Sequence, residues 1–202
     1  MRATAKLISI LFHPLILPCY AFALVYFTNP LLFSAYGDKQ LFQIFLTAFI
    51  NTFLFPVIAI LLIRALGFVK SLQMDDPKER LIPFLATGVF YIWGYVVFRK
   101  SGMPQVLDII LLGATITLFS VFMLNLFWKI SAHMAAMGCM TVLAIALTVI
   151  SASDMNYIVI VPVLLAGMIG SSRLLLNAHS TAEIFVGFLI GMMSQMVAMQ
   201  FY

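Results

Sequence analysis

Charge is what this sequence has least of. Of its 202 residues only 9% are charged and 64% are hydrophobic, with a mean hydropathy of +1.12, whereas a water-soluble domain carries about a quarter charged residues. That scarcity excludes a soluble globule. Cysteine is nearly missing too: Cys19 and Cys139 both fall inside apolar runs, where cysteine serves as a small apolar side chain. No disulfide framework and no metal-ligand spacing can be read from two such residues. Acidic residues number seven against eleven Lys and Arg. In so apolar a chain the surplus of +4 speaks of loop orientation and anionic headgroups rather than nucleic acid.

What is there is a succession of apolar runs near 20 residues, the length that crosses about 30 Å of hydrocarbon at 1.5 Å per residue. They predict an all-α, polytopic transmembrane bundle of about six to seven spans, a single domain over residues 1–202. The expected spans are Leu7 to Thr28, Leu41 to Val69, Pro83 to Phe98, Val106 to Trp128, Ser131 to Ser151, Tyr157 to Leu176 and Thr181 to Gln200. The first lacks a small-residue cleavage site and reads as a retained span, kinked at Pro14 and Pro18, rather than a signal peptide. His13 within it is either a packed histidine or a supporting group of a site. Asn51 is expected to bond across helices, and Gly187 and Gly191 have the small-xxx-small spacing of close helix packing.

Because charges are few, their placement carries information. No charged residue lies between Tyr157 and Ser172 or between Ile184 and Tyr202, so Arg173, His179 and Glu183 share one membrane-edge turn. Two other polar segments, Lys70 to Pro83 and Ser131 to His133, are each separated from the next by two spans, which puts all three on one membrane face. Together they hold Lys70, Lys78, Arg80, Ser131, His133, Ser172, Arg173, His179 and Glu183. Cations of this kind bind phosphate oxygens, helix N-termini add N–H donors for an anion, and histidines serve as nucleophile or acid. Each residue also has a plainer use: Ser180 and Glu183 form a capping box, and Arg173 complements a helix C-terminus.

The spacing of these residues resembles the type-2 phosphatidic acid phosphatase superfamily, whose pattern is Lys-x6-Arg-Pro, then Pro-Ser-Gly-His, then Ser-Arg-x5-His-x3-Asp. Ser172-Arg173, His179 and Glu183 match the third motif with glutamate for aspartate. Ser131 and His133 keep two residues of the second, and Arg80 with Pro83 keeps the types of the first, with Lys78 or Lys70 as its lysine. The resemblance covers about residues 70–191. It implies a metal- and cofactor-independent membrane phosphatase acting on a lipid phosphate or diphosphate among membrane lipids. In it His179 is the nucleophile that forms a phosphohistidine, Glu183 orients His179, and His133 is the general acid. Lys78, Arg80, Ser131 and Arg173 then grip phosphate. The alternative is an inactive, lipid-binding or scaffold member of the same fold. Orientation is contested: eight of the cations (Arg2, Lys6, Arg64, Lys70, Lys78, Arg80, Lys129, Arg173) share the motif face, against Lys39, Arg99 and Lys100. Positive-inside bias would put that face in the cytoplasm. The resemblance implies a bacterial-type inner membrane with the site facing outward.

Overall fold

The computed structural model describes residues 1–70, 77–150 and 157–202, apart from the side chains of Pro77, Lys78 and Ile150. Helices dominate the described residues: α1 (Arg2–Leu11), α2 (Leu17–Thr28), α3 (Asp38–Ala65), α4 (Leu81–Lys100), α5 (Gln105–Asn125), α6 (Ala132–Ile150), α7 (Tyr157–Leu175) and α8 (Thr181–Met199). The six from α3 to α8 are long and apolar enough to cross a membrane, so the protein is an all-helical, polytopic integral membrane protein. Short 3₁₀ turns at Pro30–Phe33 and Pro77–Arg80 lead into α3 and α4.

The first expected span is not one helix. Pro14 has no N–H to give Ile10, and Pro18 has none to give Pro14, so two successive i→i−4 bonds are lost. The chain turns between Leu11 and Leu17 through bonds from His13 N–H to the Ile10 carbonyl and Ile16 N–H to the His13 carbonyl. α1 therefore leaves the line of α2 and packs on α7, burying Ala5 and Ser9. Its exposed Arg2 and Lys6 on the same helix as Leu7, Ile10 and Leu11 give it the make-up of an interfacial helix. α2 alone, with 12 residues, is too short to count as a full-length span.

Within α3 the segment Ile50–Leu54 widens to a π-turn, the form that commonly marks an inserted residue in a helix. Pro56, which cannot donate to Thr52, follows it directly. Asn51 sits in this turn and donates to Thr47 of its own helix at 2.8 Å, not to another helix as expected. Its Cβ packs against Gly94 of α4.

α6 and α8 make the closest helix pair. A Cβ on Gly191 would overlap the Ala135 carbonyl, one on Gly138 would overlap the Phe188 carbonyl, and one on Gly187 would lie 2.7 Å from the Ser131 carbonyl. Only hydrogen at these positions lets the two backbones touch, the means by which helices associate in lipid. The touch locks the start of α6 beside the start of α8. Three apolar clusters complete the bundle among the described residues, one around Phe22, Ile44, Leu107 and Leu147, one around Leu17, Met137 and Ile169, and one of Val121, Ile130 and Ala135.

Candidate functional site

The turn between α7 and α8 is built by its own hydrogen bonds. α7 ends in a six-residue closure: Ala178 N–H bonds the Arg173 carbonyl at 3.0 Å and Asn177 N–H the Leu174 carbonyl at 2.9 Å. That closure needs one residue in the left-handed region. Asn177 supplies it at φ 52°, as asparagine does more readily than other non-glycine residues. Three residues on, Ser180 opens α8 with both bonds of a capping box: Glu183 N–H to Ser180 Oγ at 3.4 Å, and Ser180 N–H to Glu183 Oε2 at 3.0 Å. His179 is held between a closure and a cap, and its ring has little freedom.

The ring is fixed from behind. His179 Nδ1 lies 3.1 Å from Glu183 Oε2 and 3.1 Å from the Lys129 carbonyl. Both partners are acceptors, so Nδ1 carries the proton and donates to them, leaving Nε2 with a free lone pair. Burial, then the nearby Arg173 and Arg80, hold His179 down to about 4, against the opposing pull of Glu183 and the Lys129 carbonyl. At neutral pH it is an uncharged imidazole. Glu183 thus caps α8 and orients His179 with one oxygen, so the capping and orienting readings of that residue are both true of its geometry.

His133 stands on the first turn of α6 and donates from Nε2 to the Ser9 carbonyl at 3.0 Å, which leaves Nδ1 as its available nitrogen. His13 packs edge-to-face on it with ring centroids 5.5 Å apart. His13 Nδ1 accepts Leu15 N–H at 3.3 Å. The broken first segment therefore brings a third histidine and a backbone carbonyl to the site.

These groups surround a cavity of about 670 Å³. Its mouth is lined by Lys6, Arg80, Lys129, Arg173, His133 and His179, with His13 and Asn177 beside them. Arg173 Nε is buried there without a hydrogen-bond partner among the described residues, an unmet donor of the kind that an anion satisfies. Arg80, His133, Arg173 and His179 are thus brought together. Ser131 and Ser172 are not among the lining residues. The buried Ser131 hydroxyl accepts Met134 N–H at 3.5 Å as the cap of α6, and Ser172 Oγ donates to the Met168 carbonyl at 2.8 Å. Lys70 is exposed and away from the cavity, while the Lys78 side chain lies outside the described residues. No group of three or more His, Cys, Asp or Glu side chains among the described residues is placed to hold a metal ion.

Lys129 and Ser9 were not legible as site residues, and for His13 the sequence left a packed histidine and a supporting group of a site both open. Lys129 contributes through its carbonyl, which any residue would supply, and Ser9 does the same. His13 reaches the site only because two prolines turn the chain. No protein-family model matches this chain, and neither a curated protein nor a solved structure matches it significantly.

Proposed function

We propose that the protein is a membrane phosphatase that hydrolyses a lipid phosphate or diphosphate through a phosphohistidine, as its motif resemblance to the type-2 phosphatidic acid phosphatases implies. The observation that carries this reading is His179, neutral, with Nδ1–H tied to Glu183 and Lys129, in a cavity with Arg80, Arg173 and His133. In the first step His179 Nε2 attacks phosphorus and the bond to the lipid oxygen breaks. His133 Nδ1 takes the proton that the phosphate monoanion brings on binding and gives it to the departing oxygen, while its Nε2–H stays on the Ser9 carbonyl. In the second step water attacks the phosphohistidine, His133 Nδ1 takes the water's proton, the P–N bond breaks and phosphate leaves with that proton. Both residues return to their starting states. Arg80 and Arg173 bear the phosphoryl oxygens, whose charge must be met wherever phosphoryl transfer is mostly positioning and electrostatics. Glu183 faces the positive charge that His179 gains on attack.

The test is phosphate release by the purified protein, with and without added metal, from a panel of lipid phosphates and diphosphates. The expected result is metal-independent release, inhibited by vanadate, with an acid-labile phosphoryl group trapped on His179. A folded protein that is silent across the panel yet binds these lipids would be the inactive, lipid-binding alternative, favoured by the motif exchanges at residues 130, 132 and 183. We further propose an outward-facing site in a bacterial-type inner membrane. Single cysteines at Phe127, on the site face, and Ser101, on the other, decide this in cells without Cys19 and Cys139. An impermeant thiol reagent should label the former and spare the latter.

A further inference from the structure

The cavity does not end at its charged mouth. Below the histidines its lining turns apolar with Leu17, Ala21, Ile110, Val121 and Leu143, side chains buried in the bundle interior. At the bottom stands Gln195 of α8, 2% exposed, whose Nε2 has no hydrogen-bond partner among the described residues. From Thr181 to Gln195 the helix rises about 20 Å, more than the roughly 15 Å of one leaflet's hydrocarbon, half of the ~30 Å core. A full-length aliphatic chain therefore fits end to end between the mouth and the floor.

Volume limits how many chains fit. If a methylene takes about the ~30 Å³ that a water occupies in the liquid, 670 Å³ holds roughly twenty such groups, the phosphate included. One long chain with its phosphate is enough to occupy that space. We infer that this channel is a binding site for a single aliphatic chain, so that the substrate class of the proposed phosphatase is the phosphate or diphosphate of a single-chain lipid, held with its chain inside the bundle and its length gauged at Gln195. This rests on the phosphatase reading for the word substrate, but not for the channel itself.

Gln195 is seated by a glycine. A Cβ on Gly113 of α5 would overlap the Gln195 side-chain oxygen, the movable end of a flexible side chain. Gly113→Ala therefore pushes the amide up into the channel and raises its floor. Ala114, which also lines the cavity, lies eleven residues from the end of α5 at Asn125, about 16 Å down. Ala114→Phe plugs the lower half from a second direction.

The experiment measures binding of non-hydrolysable alkylphosphonates with short and long chains, one- and two-chained, to the full-length detergent-solubilised protein, alongside turnover of matching phosphate esters. In the wild type the Kd of one-chain ligands should fall with each added methylene by about fourfold, the burial increment for one CH₂, up to a fixed length and then level off. Ala114→Phe should weaken the long chain by about tenfold or more, the scale of a blocked apolar pocket, and the short chain by much less. Gly113→Ala should shorten the length at which affinity levels off, with thermal melting confirming that both variants fold. Long and short chains weakened alike, or no dependence of Kd on chain length, would overturn the channel. A two-chain phosphonate bound as tightly as its one-chain counterpart would overturn the restriction to one chain. Length-dependent binding without hydrolysis of any ester would leave the channel standing and sink the phosphatase reading. Hydrolysis with affinities indifferent to Ala114→Phe would do the reverse.

Discussion

Arg99 and Arg173 start from the same position in sequence terms. Each is a cation in the last turn of a spanning helix, where it complements the helix dipole and reaches for headgroups. The bundle treats them in opposite ways. Arg99 is exposed and lies over the Tyr202 ring at 4.6 Å, and Tyr202 in turn donates to Tyr95 at 3.3 Å. Arg173 has a buried Nε with no partner among the described residues and faces a cavity shared with His179. One arginine rests on a ring in the open, while the other keeps a buried donor unmet among the described residues. A membrane-edge cation signals function only where its donors are left unmet.

The largest test of that contrast is His179→Ala, which removes the imidazole that lines the cavity with the unmet arginine and is held through Nδ1 alone. Turnover should fall by about 10⁴-fold or more, as when a nucleophile is deleted, with helical content by circular dichroism unchanged. Any residual rate above about a hundredth of wild type, far more than nucleophile deletion leaves, would break the assignment. Next in size is Glu183→Gln. The amide oxygen can still cap Ser180 but carries no charge to face the imidazolium, so kcat should drop by roughly 10³- to 10⁴-fold, up to the effect of neutralising a triad carboxylate. Stability should move by under about 1 kcal/mol, because the cap persists. A loss of stability with kcat per folded molecule retained would make Glu183 a cap only.

The two arginines are then compared directly. Arg173→Gln should cost about 10²-fold in kcat/KM, the range for removing one transition-state donor. It should also move the acidic limb of the pH–rate profile upward, because Arg173 helps hold His179 at about 4. Arg99→Gln should leave both rate and limb where they are. Equal effects would mean that the two ends do not differ in function. The smallest expected effect concerns stability. His179 is depressed to about 4 in the fold from its ordinary 6.5, so the folded protein binds fewer protons than the unfolded chain between those values. Stability is complete above about 6.5 and is lost as pH falls towards 4. Thermal melting of wild type and His179→Gln between pH 7.5 and 4.5, read by scanning fluorimetry, should show the wild type losing more.

Six spans, α3 to α8, were legible as long runs without charge, and their ends match expectation within a few residues because a hydrocarbon layer admits only helices of near-fixed length. The capping box at Ser180 and Glu183 was legible for the same local reason. The two-helix start was not. Prolines in a membrane helix usually kink it, and whether the chain instead turns away depends on α7 offering α1 a surface to pack on. Nor was Asn51 legible, since only the π-turn and the proximity of Gly94 decide that it bonds its own helix.

The sequence by itself determined an apolar helical chain with most of its cations on one membrane face, because composition and period act locally along the chain. It also determined the turn of Arg173 to Glu183, whose closure and cap need only neighbouring residues. Tertiary structure alone decided which of those cations are left with unmet donors, and that the Lys129 carbonyl fixes the tautomer of His179. It decided too that His13 and Ser9 reach His133, and that the space beneath them runs down to Gln195. Each of these joins residues from separate helices, and glycines 138, 187 and 191 set those distances by letting α6 and α8 touch.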